Sequence, residues 1–239
     1  MTKRRNKIIV AYIFLMVAFL PGLQAQRRKV QNLPKYDKQI LHFGFNLGVN
    51  ISNFKVSYAP NLHSFDSLYV IDNLKQTGIN LGIVTNLHLG DHFDLRFIPS
   101  MIFAQRDIDY TFYINGKKSS VTKKQIESTF IELPLTLKLK SNRVGNARCY
   151  AIAGGQYMID MVSQAKVENK DKQFVKLERK DYGYHIGMGF DFYMEMFKLS
   201  TEIKMYNGMN NLLVPDNTVF ARSLNSLRSK MFYVSFYFE

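Results

Sequence analysis

Tryptophan is absent from these 239 residues, and cysteine occurs once, at Cys149. A lone cysteine excludes an intrachain disulfide, so an exported chain of this kind must draw its stability from packing and backbone hydrogen bonds. Cys149 itself reads as a small strand residue. Beyond the first 25 residues no stretch is apolar enough for a membrane-spanning helix, which needs ~20 consecutive apolar residues. No low-complexity segment occurs, and no spacing of His, Cys, Asp and Glu resembles a metal site, so neither a metal nor another cofactor is expected. Acidic residues are the scarcer charge, 19 against 32 basic, for a formal net charge of +13.

What is present begins with a leader. Lys3, Arg4, Arg5 and Lys7 precede an unbroken apolar run of 13 residues, Ile8 to Leu20, closed by Pro21 and Gly22. The run has the length of a secretory signal core and is short for a spanning helix; Leu23-Gln24-Ala25 offers a cleavage site. Residues 1–25 are therefore expected to be a signal peptide. Removing its four positive charges from the formal +13 leaves +9 for the remaining chain. The basic residues are scattered, and an exported protein has little access to nucleic acid, so no nucleic-acid role is expected.

Phenylalanine (19) and tyrosine (14) are plentiful, as strands favour. They fall in a period of two. Leu41, Phe43, Phe45, Leu47, Val49 and Ile51 alternate with His42, Gly44, Asn46, Gly48 and Asn50. The same rhythm recurs over 78–89, 93–103, 131–140, 182–192, 197–205 and 232–238, and more weakly over 149–159, where Tyr150, Ile152 and Met158 oppose Ala151, Ala153, Gly155 and Tyr157. That makes eight segments, most near the ~9–11 residues a tilted membrane strand needs. The segments imply long connections over 51–76, 106–125, 160–180 and 207–228, and short ones over 90–92, 141–147 and 193–196. Alternating long and short connections are the habit of outer-membrane barrels, with the short turns and both termini in the periplasm.

A soluble eight-stranded barrel also alternates, but it turns its apolar set inward. Here the opposite set carries Asp94, Arg96, Glu132, Lys138, Asp191, Lys198, Glu202 and Lys204 among glycine and asparagine. Such a set suits the polar interior of a small membrane barrel, where opposite charges can pair. The expected fold class is all-β, an eight-stranded antiparallel up-and-down transmembrane β-barrel over 41–239. A segment of 26–40 precedes it.

Sites for chemistry are few. His63, Ser64 and Asp66 lie close together in an expected long loop, without a rigid element to set a nucleophile against a base. His185 and Asp191 share one face of a strand but lie six positions apart, roughly 20 Å along it. No catalytic residue is assigned, and the chain is not expected to be an enzyme. Lys117, Lys118, Lys123 and Lys124, and later Lys166, Lys170, Lys172 and Lys176, make two loops basic, either as ordinary solvated surface or as contacts for lipopolysaccharide phosphates. The segment before the first strand carries Arg27, Arg28, Lys29, Lys35 and Lys38 against Asp37. It is either a leader without fixed structure or a periplasmic contact, and Leu33, Pro34 and Tyr36 are the residues it would offer a partner.

Asn32-Leu33-Pro34-Lys35-Tyr36-Asp37 followed by Leu41-His42-Phe43-Gly44-Phe45-Asn46-Leu47-Gly48 resembles the PorT family. So do Phe130-Ile131-Glu132-Leu133-Pro134-Leu135, Ala153-Gly154-Gly155 and Tyr182-Gly183-Tyr184-His185-Ile186-Gly187-Met188-Gly189. The resemblance covers essentially all of the chain after the leader. It implies an outer-membrane component of the type IX secretion system of Bacteroidetes-type bacteria, which exports cargo with a C-terminal sorting domain and in some species supports gliding. Other components of that system would be its partners, and no catalytic residues carry over. Two alternatives belong to other classes: a general small barrel for envelope anchoring or adhesion, and a lipid A-modifying enzyme. Glu239, after Phe238, departs from the terminal aromatic usual in such barrels.

Overall fold

The computed structural model describes residues 31–58, 68–114, 117–162, 177–215 and 224–239. The expected signal peptide lies outside the described residues, as do His63, Ser64, Asp66 and the lysines at 166, 170, 172 and 176. Residues 32–239 form one compact unit.

Ten strand segments make up eight staves: β1 (Leu41–Tyr58), β2 (Leu68–Leu74) with β3 (Gln76–His88), β4 (Phe93–Phe97) with β5 (Ser100–Ile114), β6 (Lys117–Lys140), β7 (Ala147–Asp160), β8 (Lys180–Tyr193), β9 (Lys198–Gly208) and β10 (Leu224–Phe238). Each stave pairs antiparallel with the next. β1 pairs with β3 on one side, Leu41 opposite Leu87, and with β10 on the other, Phe45 opposite Phe238. The sheet thus closes on itself, which removes the edges an open sheet would leave unpaired.

The break between β4 and β5 has a local cause. Pro99 has no N–H to give the ladder, and its carbonyl instead accepts from Ile83 N at 3.1 Å. Register is unchanged across the break: Phe97 faces Leu135 on one side and Ser100 faces Glu132 on the other. The stave is therefore continuous in space although its ladder is interrupted.

The two faces settle which way the alternation points. Arg96 and Lys138 are wholly buried, while Phe43 is 64% and Met188 66% exposed. Outward positions of β1 are Phe43, Phe45, Leu47, Val49 and Ile51; His42, Asn46 and Asn50 point in. A soluble barrel would bury the first set. An apolar exterior around an ionic interior fits hydrocarbon outside. On β7 the large apolar residues are the inward ones: Tyr150, Ile152 and Met158 are buried while Cys149, Ala151 and Ala153 face out.

Three of the expected long connections are partly or wholly strand. Residues 106–125 are not a long loop. β5 and β6 stay paired from Ser100 opposite Glu132 to Ile114 opposite Lys117; β2 follows along β5 to Leu68 opposite Phe112, whereas β7 ends at Asp160 opposite Phe130. The charges at Asp107, Asp109, Lys123 and Lys124 suggested a loop, but Asp109 stands opposite Lys123 in the register, and the run is rich in Ile, Tyr, Thr and Phe, which favour strands. The connection expected over 51–76 is likewise shortened, because β1 continues to Tyr58 and β2 spans Leu68–Leu74, and the one expected over 207–228 because β10 begins at Leu224.

Candidate functional site

Alternation drives every second side chain of each stave into the lumen, and the lumen is filled in two parts. Toward the short-turn end the filling is ionic. Glu202 on β9 accepts from Arg96 Nη1 at 2.9 Å, from the Tyr150 hydroxyl at 3.0 Å and from the Tyr237 hydroxyl at 2.7 Å, joining four staves at one carboxylate. Asp191 accepts from Lys138 at 2.8 Å and from Ser200 at 2.6 Å. Asp94 accepts from Lys140 at 2.5 Å and lies 2.9 Å from His88 Nδ1. Lys204 donates to Glu132 at 2.5 Å. Arg96 lies over the Tyr237 ring at 4.4 Å and Lys138 over Tyr150 at 3.7 Å, so aromatic faces supply what carboxylates do not. Gly189 makes one of these contacts fit: a Cβ there would sit 2.5 Å from the Tyr150 hydroxyl.

Toward the other end apolar side chains predominate, although Asp160 and Asp181 are buried there too. Ile102, Ala104, Phe130, Met158, Tyr206, Met231 and Tyr233 form one buried cluster across the lumen. Between the two layers, beside Arg96, Glu202, Thr136 and Lys204, a void of about 10 Å³ remains, roughly room for one water.

The short-turn mouth is covered by residues 32–39, which end in a single 3-10 turn, Tyr36–Lys38. Asn32 N donates to Asn146 Oδ1 at 2.9 Å, and its side-chain amide donates to the Tyr193 carbonyl at 3.0 Å. Arg143 donates to the Asn32 carbonyl at 2.5 Å. Asp37 turns inward and pairs with Arg148; the Tyr193 hydroxyl donates to the same carboxylate at 3.2 Å. Tyr36 stacks on His42 with ring centres 3.9 Å apart and donates its hydroxyl to Glu239 at 2.8 Å. Leu33 has φ 51°, a left-handed conformation that costs a non-glycine residue on the order of 1 kcal/mol or more and persists where surrounding bonds enforce it.

Glu239 is the centre of this closure. Its side chain is buried, Lys198 donates to it at 2.8 Å, and Arg96 lies 3.6 Å away. Burial pushes its carboxyl up, but the charges of Lys198, Arg96 and Lys138 outweigh burial and hold it well below the usual carboxylate range. The Tyr36 phenol is displaced upward, by burial first and by Glu239 second. The mouth thus holds an ionised carboxylate beneath a neutral phenol.

Of the three residues anticipated as contacts, Pro34 is exposed, Leu33 is half-buried, and Tyr36 is directed into the mouth. His185 and Asp191 do not meet: His185 Nε2 lies 2.9 Å from Thr136 Oγ1, while Asp191 belongs to Lys138 and Ser200. No cluster of three or more His, Cys, Asp or Glu side chains is placed to hold a metal among the described residues. The sequence drew attention to Glu239 and Asp37 without giving either a part in closing the mouth. The parity of the last strand carried a signal for the first: Tyr233, Ser235 and Tyr237 point inward, so residue 239 does as well.

A family model described as outer membrane protein beta-barrel domain matches residues 24–214. Among solved structures, the chain is similar to Neisserial surface protein A at 10% identity, covering 83% of this chain and 98% of that one with a TM-score of 0.44. It is similar to OprG of Pseudomonas aeruginosa at 11% identity, 83% and 91% coverage and a TM-score of 0.41. It is also similar to Ail, the attachment invasion locus protein of Yersinia pestis, solved with the heparin analogue sucrose octasulfate, at 10% identity, 84% and 99% coverage and a TM-score of 0.38. No curated protein sequence matches the chain.

Proposed function

The chain belongs to the family of outer membrane protein beta-barrel domains, and on that premise we propose that it is a component of the type IX secretion system that works through protein contacts and not through catalysis. The resemblance of its opening segment and glycine-rich strands to the PorT family supplies the secretion role. The observation that carries the mode of action is the filled lumen. Paired charges close one half and an apolar cluster closes the other, so the barrel offers surfaces in place of a passage. On this reading the short turns and the strap over 32–39 face the periplasm, where cargo and the rest of the machinery reside. Outer-membrane lipid surrounds the apolar belt. Lipopolysaccharide phosphates are proposed contacts of the basic residues near the long-connection end, of which Arg179 and Lys180 are exposed.

Deleting the gene tests the role: type IX cargo should accumulate in the periplasm while general export continues. Returning the gene with His63, Ser64 or His185 replaced by Ala should restore release to near normal, because contacts spread their energy over many residues whereas a catalytic set fails as a unit. Normal cargo release in the deletion strain would refute the secretion role and leave the anchoring or adhesion alternative. Loss of release from one of the single substitutions, with the barrel still inserted, would point to the lipid-modifying alternative.

A further inference from the structure

We infer that the outer face of β1 and β10, just beyond the apolar belt at the long-connection end, binds the phosphates of lipopolysaccharide. The inference deepens the reading of lipopolysaccharide as a contact at that end and rests on it. It places the main site on four cations other than Arg179 and Lys180.

The register brings the four together. Outward pairs of β1 and β10 are apolar from Phe45 opposite Phe238 to Ile51 opposite Phe232. Beyond them Asn53 stands opposite Lys230 and Lys55 opposite Arg228, on the same outward face. Ser52, Phe54, Ser229 and Met231 hold the alternate, inward positions and are buried. On the other side of β1, Lys75 follows Gln76, the last residue of β3 to pair with β1. Lys55, Lys75, Arg228 and Lys230 are all exposed.

The charges call for an anion. Lys55 and Arg228 face one another directly, and like charges in that position repel. None of the four is ion-paired among the described residues. The described residues of β1, β3, β9 and β10 beyond the belt include no exposed Asp or Glu. Elsewhere on the described surface exposed cations have exposed acids at the same level. Lys35 and Lys38 share the short-turn rim with Asp91 and Glu195, and Arg179 and Lys180 follow Glu178.

Position selects the source of that anion. Lys230 stands two residues beyond Phe232, roughly 7 Å along the strand. A ligand here meets hydrocarbon on one side and cations on the other. A lipid headgroup satisfies both at once, whereas a dissolved phosphate uses only the charge. In the outer leaflet that lipid is lipopolysaccharide. Its acyl chains would lie on Ile51 and Phe232 while its phosphates meet the cations. Arg228 can give a phosphate two parallel N–H bonds, and the lysines act as point charges.

The test is native mass spectrometry of the full mature chain refolded in detergent micelles, with diphosphoryl lipid A as the probe. Only variants that keep the wild-type gel shift between unheated and boiled samples are scored, which removes misfolding as an explanation. Lys55→Gln with Arg228→Gln should lower the bound fraction several-fold. Lys35→Gln with Lys38→Gln removes the same charge from the opposite end and should leave it near the wild-type level, as should Lys55→Arg with Lys230→Arg. Lipid A stripped of its phosphates should bind poorly, and an equal concentration of inorganic phosphate should not displace the intact lipid. Equal loss from the two glutamine variants, undiminished binding of the stripped lipid, or displacement by inorganic phosphate would each overturn the proposal. The orientation fails by a separate sign: antibody reaching an epitope in the 141–146 turn on intact cells would put the short turns outside and remove lipopolysaccharide as the ligand.

Discussion

The two halves of the lumen are closed by different physics. Near the short turns, Glu202, Asp191, Asp94 and Glu239 each hold specific cations, and the strap is tied to the last of these through Tyr36. Near the long connections, Ile102, Phe130, Met158, Tyr206, Met231 and Tyr233 exclude water mainly by packing, with Lys204 over the Tyr233 ring at its inner border. An apolar plug tolerates substitution as long as volume is kept. An ionic one does not, because each buried charge depends on its partner and loses more from an orphan than it gains from a pair. Precise geometry is thus concentrated at the end that carries the strap, which is where a contact surface needs to be held still.

Breaking the ionic half at its hub should give the largest effect. Glu202→Leu leaves Arg96, Tyr150 and Tyr237 without their acceptor and should cost about 3–5 kcal/mol, the usual penalty for stranding a buried charge. Adding Arg96→Met should recover most of the loss. Urea unfolding of the refolded barrel in lipid vesicles measures both, and a double variant no better than the single would mean that the pair is not the cause.

The exterior offers the next contrast. Ile186, opposite Ala153 and Met205 in mid-strand, faces outward. Ile186→Arg should cost ~2–4 kcal/mol if that face meets hydrocarbon, and Ile186→Leu almost nothing. Equal insertion of the two into vesicles would contradict the face assignment. Tyr36→Phe should have a smaller effect, roughly 1–2 kcal/mol or less from one lost bond to a carboxylate, seen as faster proteolysis of the strap with the barrel intact. Acid should act on the same contact. Glu239 is held below its ordinary value of 4.5, so its contribution is complete above about that pH and fades as pH falls toward the depressed value. Strap proteolysis should therefore rise in acid, and Glu239→Gln should remove that dependence.

The periodicity of two was enough to read the staves, because a one-residue slip would exchange the faces of a whole strand. It was weakest on β7, where inward Tyr150, Ile152 and Met158 fill the lumen and the outward face carries small residues, so hydrophobicity alone did not tell inside from outside. The hairpin over 100–132 was misread because charges opposite one another in a register look, along the chain, like a solvated loop. The strap was legible only as composition. That Asp37 would meet Arg148, 111 positions later, depends on how the closed barrel brings its short-turn ends together, which no local pattern encodes. Family resemblance, in contrast, singled out the same Asn32–Asp37 stretch without saying what it touches.

Cargo release from cells carrying the triple substitution Leu33→Ser, Pro34→Ser and Tyr36→Ser tests the central claim most directly, with the barrel quantified in the same outer membranes by its heat-dependent gel shift. A barrel inserted at the wild-type level with cargo retained in the periplasm, as in the deletion strain, is the predicted result. Cargo released at the wild-type rate by an equally abundant barrel would contradict the claim that the strapped mouth is the working surface.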